Sequence, residues 1–109
     1  AAEIIRTRAA DLLNIKLMKT GGIWQALKIC SLAEMYGVEC MIGCMLGSKL
    51  AVSAAAHLAA AKRVITRADL DGPSLCKTDP FTGGPLYENG VIRMTDAPGI
   101  GITRVPAFV

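Results

Sequence analysis

Three short apolar segments, Leu13–Leu17, Val38–Cys44 and Val64–Leu70, are each separated from the next by one longer stretch with helical spacing. This alternation constrains the fold more than any other feature of the chain. Between the first two segments, Gly21-Gly22 reads as a turn, and Ile23, Ala26, Leu27, Cys30 and Ala33 then recur at the interval of a helix running to Tyr36. Gly37 follows where a helix end favours a left-handed residue. Between the second and third segments, Met45-Leu46-Gly47 reads as a loop and Ser48 as an N-cap; the alanine-rich stretch to about Arg63 is the helix. Ile4 to Leu12 reads as the tail of an earlier helix. Strands joined by single helices run parallel, with right-handed crossovers. The fold class is therefore α/β.

Parallel strands are normally buried on both faces. Three of them with two helices make only an arc, whose unpaired edges invite aggregation. A larger sheet that completes the arc is expected, with a small self-standing three-strand domain as the alternative. After Leu70 the rhythm stops. Asp71-Gly72-Pro73 is a turn, and Thr78-Asp79-Pro80 with Gly83-Gly84-Pro85 makes a long loop. Glu88-Asn89-Gly90, between Leu86-Tyr87 and Val91-Ile92, predicts a hairpin. Pro98 to Ile102 reads as irregular chain closing over something else. The division falls into an arc over residues 1–72 and a loop-and-hairpin tail over 73–109.

Composition removes several function classes. Hydrophobic residues make up 52% of the chain and charged ones 19%, which excludes disorder. The apolar runs are too short and too interrupted for a membrane span. The start lacks the features of a secretory signal and an initiator Met, so processing or truncation is expected to have removed the true beginning. The net charge of +3 is scattered and aromatics are 5% of residues, so no nucleic-acid surface is expected. Cys30, Cys40, Cys44 and Cys76 form no CxxC pair, and read as free thiols of a reducing cytoplasm rather than zinc ligands.

Two places could carry chemistry. Lys16 shares a strand face with Asn14, near the carboxyl end of a parallel strand, where α/β barrels place their active sites. A lysine so placed can serve as a base, or can simply face solvent. Asp69 and Asp71, two apart on a strand, project to one side, and such like charges are unfavourable unless a cation joins them. An ammonium or a metal would satisfy both; the alternative is plain turn chemistry at Asp71-Gly72-Pro73. Gly47-Ser48-Lys49 is not a P-loop, Gly99-Ile100-Gly101 lacks a dinucleotide context, and His57 has no second ligand nearby.

The run Asn14-Ile15-Lys16-Leu17-Met18-Lys19-Thr20-Gly21-Gly22 resembles the sixth barrel strand and following loop of the muconate-lactonising subgroup of the enolase superfamily. Met41-Ile42-Gly43-Cys44-Met45 is similar to its seventh strand, and Ala68-Asp69-Leu70-Asp71-Gly72-Pro73 to the eighth-strand motif of the dipeptide epimerases. The resemblance implies the C-terminal segment of a modified (β/α) TIM-type barrel, strands six to eight, with a tail that packs on a capping domain supplied by the remaining N-terminal part of the protein. The implied chemistry is 1,1-proton transfer at the α-carbon of a dipeptide's C-terminal residue. Lys16 would be the acid/base on one face, opposite a second lysine on an earlier strand. The enediolate would be stabilised by Mg²⁺, whose three acidic ligands also lie on earlier strands, so the chain by itself is expected to be inactive.

In the same resemblance Asp69 and Asp71 bind the substrate's α-ammonium, and Cys44 lines the pocket through its backbone. It implies an L-Ala-D/L-Glu type of substrate, as in peptidoglycan recycling; a cytoplasmic homo-oligomer is expected. A muconate cycloisomerase, an o-succinylbenzoate synthase or an N-acylamino acid racemase would use Lys16 equally well, but offers the aspartate pair no evident cation. A non-catalytic truncated chain is the alternative from another class.

Overall fold

In the computed structural model, which describes residues 1–107, α1 (Ala2–Arg6) leads into β1 (Leu12–Ile15), the single turn α2 (Leu17–Thr20) and α3 (Ile23–Tyr36). Then come β2 (Glu39–Gly43), α4 (Lys49–Ala61) and β3 (Ile65–Asp69). The strands form one parallel sheet in the order β1-β2-β3. The expected parallel arc is present. Its outer edges, on β1 and β3, carry no further strand among the described residues.

The pleat sorts the sheet into two unlike faces. Leu13, Ile15, Cys40 and Ile42 point to one side and are buried. They pack in one core with Ala26, Cys30 and Ala33 of α3 and Val52, Ala55, Ala56 and Leu58 of α4. Ile15 and Ile42 retain 1% and 0% of their exposure, which is worth about 2 kcal/mol each as transfer free energy. On the other side the register aligns Asn14, Met41 and Arg67, with Glu39 and Asp69 at the ends. Asn14, Glu39, Arg67 and Asp69 are all exposed there. Arg67 pairs with Glu39 at 2.6 Å, and this hydrogen bond holds the Glu39 carboxyl below the usual carboxylate range.

The clearest departures from expectation are two element boundaries and one helix cap, each with a local reason. The first helix stops at Arg6 instead of running to Leu12, because Arg8 takes a left-handed φ of 50°. The first strand stops at Ile15, two residues early. The chain winds at once into α2, where the Thr20 hydroxyl donates to the carbonyls of Lys16 and Leu17 and Gly21 closes the turn at φ 87°. Ser48 occupies the N-cap position of α4, but its side chain makes no cap bond. The Asp79 carboxylate caps α4 instead, accepting from the Lys49 N–H at 2.6 Å and from the Phe81 N–H at 2.9 Å.

After a 3₁₀ turn (Gly72–Leu75), the tail forms β4 (Thr82–Gly83), β5 (Leu86–Glu88), β6 (Val91–Arg93) and β7 (Ile102–Arg104). β5 and β6 form the expected hairpin, with Asn89 and Gly90 at φ 50° and 77°, the left-handed pair that a tight I′ turn requires. The pairing of β4 with β7 was not anticipated; it clamps the terminal segment that reads as irregular in sequence.

The tail lies against α4 so tightly that a methyl on Gly84 would come 2.5 Å from Ser53 Oγ. That hydroxyl is fully buried and has no hydrogen-bond partner among the described residues. An unpaired buried hydroxyl costs about 1 kcal/mol or more. Ser53→Ala is therefore expected to leave stability unchanged or raise it by about 1 kcal/mol, read as the shift in thermal midpoint of the full-length protein; a fall of that size would show that the hydroxyl is satisfied.

All four cysteines are free thiols; Cys30 and Cys40 are buried, Cys76 is exposed. Burial pushes the Cys40 thiol up to about 11 and raises Cys30 as well, so both stay protonated. Among the described residues no cluster of three or more His, Cys, Asp or Glu side chains could hold a metal ion. Among the described residues no helix is long and apolar enough to cross a membrane.

Candidate functional site at the strand ends

The three parallel strands end side by side, and the residues that follow are tied together. Lys16, just past β1, is half-buried and donates from Nζ to the Cys44 carbonyl at 3.1 Å. The Cys44 N–H donates to the Asp69 carbonyl at 3.0 Å. From the tail hairpin, the Tyr87 hydroxyl donates to the Leu70 carbonyl at 2.7 Å. Burial raises the Tyr87 hydroxyl above its ordinary value, so it remains a donor at neutral pH. A continuous run of hydrogen bonds thus links the ends of β1, β2 and β3 to the hairpin.

The loops above the strands are equally close. Gly72 is buried against the loop after β2, where a side chain would come 3.0 Å from the Met45 carbonyl and 3.2 Å from Cys44 Sγ. The turn after β3 is thereby locked onto the turn after β2.

Lys16 and Cys44, both singled out in the sequence, are in direct contact. Asp69 and Asp71 line one open pocket of about 300 Å³ with Tyr87 and Asn89. Lys16 lines a separate cleft of about 40 Å³ with Cys44 and Met45, so the lysine and the aspartates flank Cys44 without sharing a cavity. One detail departs from expectation. Asp71 is not on the strand; its backbone is right-handed (φ −81°, ψ −4°) and caps the 3₁₀ turn through its carbonyl, which accepts from the Ser74 N–H at 2.8 Å. The alternation rule therefore reaches Asp69 but not Asp71. The backbone does the work of the turn and leaves the carboxylate exposed. Among the described residues neither aspartate is in an ion pair.

Three contributors escape the sequence reading: Gly43, Tyr87 and Asp79. A glycine inside an otherwise apolar strand is a sign of close approach by another group, and Gly43 carries that sign. Nothing local distinguishes Tyr87 or Asp79.

Helices on one face of a parallel arc, and polar groups gathered where its strands end, define a segment of a (β/α) barrel wall. A family model described as enolase C-terminal domain-like matches residues 1–107, and the chain belongs to that family. It is 63% identical over 105 residues to an L-Ala-D/L-Glu epimerase of Clostridium acetobutylicum, covering 96% of this chain and 29% of that protein. Among solved structures, the substrate-liganded L-Ala-D/L-Glu epimerase of Bacillus subtilis superposes with a TM-score of 0.89 at 55% identity, over 93% of this chain and 28% of that one. The dipeptide epimerase of Enterococcus faecalis, complexed with Mg and the dipeptide L-Leu-L-Tyr, gives 0.88 at 47% identity, over 94% and 29%. The chain spans under a third of the length of each of these relatives.

Proposed function

We propose that this chain is the C-terminal part of a dipeptide epimerase, an isomerase that moves a proton off and onto the α-carbon of a dipeptide's C-terminal residue. One observation carries the reading. Asp69 and Asp71, exposed and without ion pairs among the described residues, flank a pocket on the same strand-end edge as a half-buried lysine. The names of the similar epimerases support the substrate class.

In this reading Lys16 is the acid/base on one face. Its Nζ is held in place by the Cys44 carbonyl. Asp69 and Asp71 receive the α-ammonium through charge-assisted hydrogen bonds. Cys44 forms the wall between them: its carbonyl anchors Lys16 and its N–H is bonded to Asp69. The described residues do not fit a metal site. Any Mg²⁺ in the whole protein is held outside this chain, as is the second base, and no step is assigned here to the metal. The exposed polar face and free sheet edges fit further barrel strands. We divide the chain into barrel arc (1–72) and tail (73–109), the tail meeting a capping domain in the whole protein. Four free thiols suit a reducing cytoplasm. An L-Ala-D/L-Glu substrate, a role in peptidoglycan recycling and a homo-oligomeric assembly complete the reading.

The test is an assay of the full-length gene product in D₂O. With L-Ala-L-Glu, proton NMR is expected to show loss of the glutamate α-proton and growth of the L-Ala-D-Glu diastereomer. N-acetyl-L-glutamate, which has no ammonium, is expected to be a far poorer substrate. Equal or faster exchange of the acetylated compound would overturn the dipeptide reading in favour of an N-acylamino acid racemase.

A further inference from the structure

We infer that Gly43 is a positioning residue for Lys16: the missing side chain at the end of β2 is the space through which Lys16 reaches Cys44. The kinetic part of this inference rests on the function proposed above; the spatial part does not. Gly43 is buried at the carboxyl end of β2, a place where a strand glycine marks close approach by another group. Its φ is not in the left-handed region, unlike that of eight other glycines, so the backbone does not require glycine here. Space does. A Cβ at this position would come 2.9 Å from Asn14 Oδ1, 3.1 Å from Lys16 Cε and 3.5 Å from Lys16 Cγ.

The two obstructing atoms, Asn14 Oδ1 and Lys16 Cε, belong to side chains and not to backbone. A methyl can therefore be accommodated without moving the sheet, by displacing the side chains that cross it. Cε is the atom bonded to Nζ, so a shift there takes the amine off the Cys44 carbonyl. A misplacement of about 1 Å at a reacting group can lower turnover about a hundredfold.

The experiment compares the full-length protein with its Gly43→Ala variant in two ways. In kinetics, kcat is expected to fall about ten- to a hundredfold while KM for the dipeptide stays within about threefold, with an unchanged circular dichroism spectrum. In the second, lysines are reductively methylated with ¹³C-formaldehyde and the Lys16 signal, assigned with Lys16→Arg, is followed against pH. Its chemical shift and midpoint are expected to differ between the two proteins. Wild-type kcat together with an unmoved Lys16 signal would overturn the inference. If Gly43→Ala does not fold, Asn14→Ala/Gly43→Ala, which removes the tightest contact, is compared with Asn14→Ala alone. A lower kcat or a moved Lys16 signal in the double variant supports the inference; identity in both overturns it. A wild-type protein inactive on dipeptides would sink the functional proposal and leave the Lys16 signal to decide this one.

Discussion

Lys16→Ala in the full-length protein is expected to lower kcat for dipeptide epimerisation by about 10³-fold or more. A positioned acid/base contributes about 10²–10⁴-fold, and the proposed reaction needs one such group on each face of the α-carbon. KM should change little, because in the proposed arrangement the aspartates hold the substrate from the far side of Cys44. Lys16→Arg is expected to be nearly as damaging: the guanidinium keeps the charge but does not give up its proton near neutral pH. The face can be identified as well. With the base on the other face intact, solvent deuterium should still enter one epimer while the other exchanges no proton. Rapid interconversion by Lys16→Ala would remove Lys16 from the mechanism.

The second large effect falls on binding. Asp69→Asn keeps the shape of the side chain and removes its charge. A hydrogen bond to a charged group is worth about 1.5–3 kcal/mol, so kcat/KM for L-Ala-L-Glu should fall about ten- to a hundredfold, mostly through KM. Asp69→Asn/Asp71→Asn should lose more than either single change. N-acetyl-L-glutamate provides the control, since it brings no ammonium: its low rate should be unchanged or should rise as two repelling carboxylates disappear. Unchanged affinity for the dipeptide in the double variant would mean that the pair binds no cation, and Lys16 would then be equally at home in a cycloisomerase or an N-acylamino acid racemase.

The arc was readable because parallel strands covered by helices carry short apolar stretches, and Leu12-Leu13, Ile15 and Cys40–Ile42 carry that mark around the single polar Asn14. The ends of the runs were less readable. The carbonyls of Lys16 and Leu17 can bond the Thr20 hydroxyl, and that local helical turn outcompetes two more residues of strand. Lys16, Cys44 and Asp69 were singled out by resemblance and position, and the fold brings their strand ends together. Asp71 was assigned a strand geometry that its turn backbone does not have. Gly43 has meaning only once β1 lies beside β2, because the atoms that exclude a side chain there come from Asn14 and Lys16. Pairing of β4 with β7 joins segments too short to show any period.

The cap on α4 bears on the order in which the chain acquires its shape. Asp79 closes the first turn of a helix that begins thirty residues earlier, at Lys49. Synthesis runs from the amino end, so α4 leaves the ribosome well before the carboxylate that caps it. Until residue 79 emerges, the Lys49 amide lacks that partner. The tail therefore reaches back to the helix between β2 and β3, and the cap that joins arc and tail forms only after both have been synthesised.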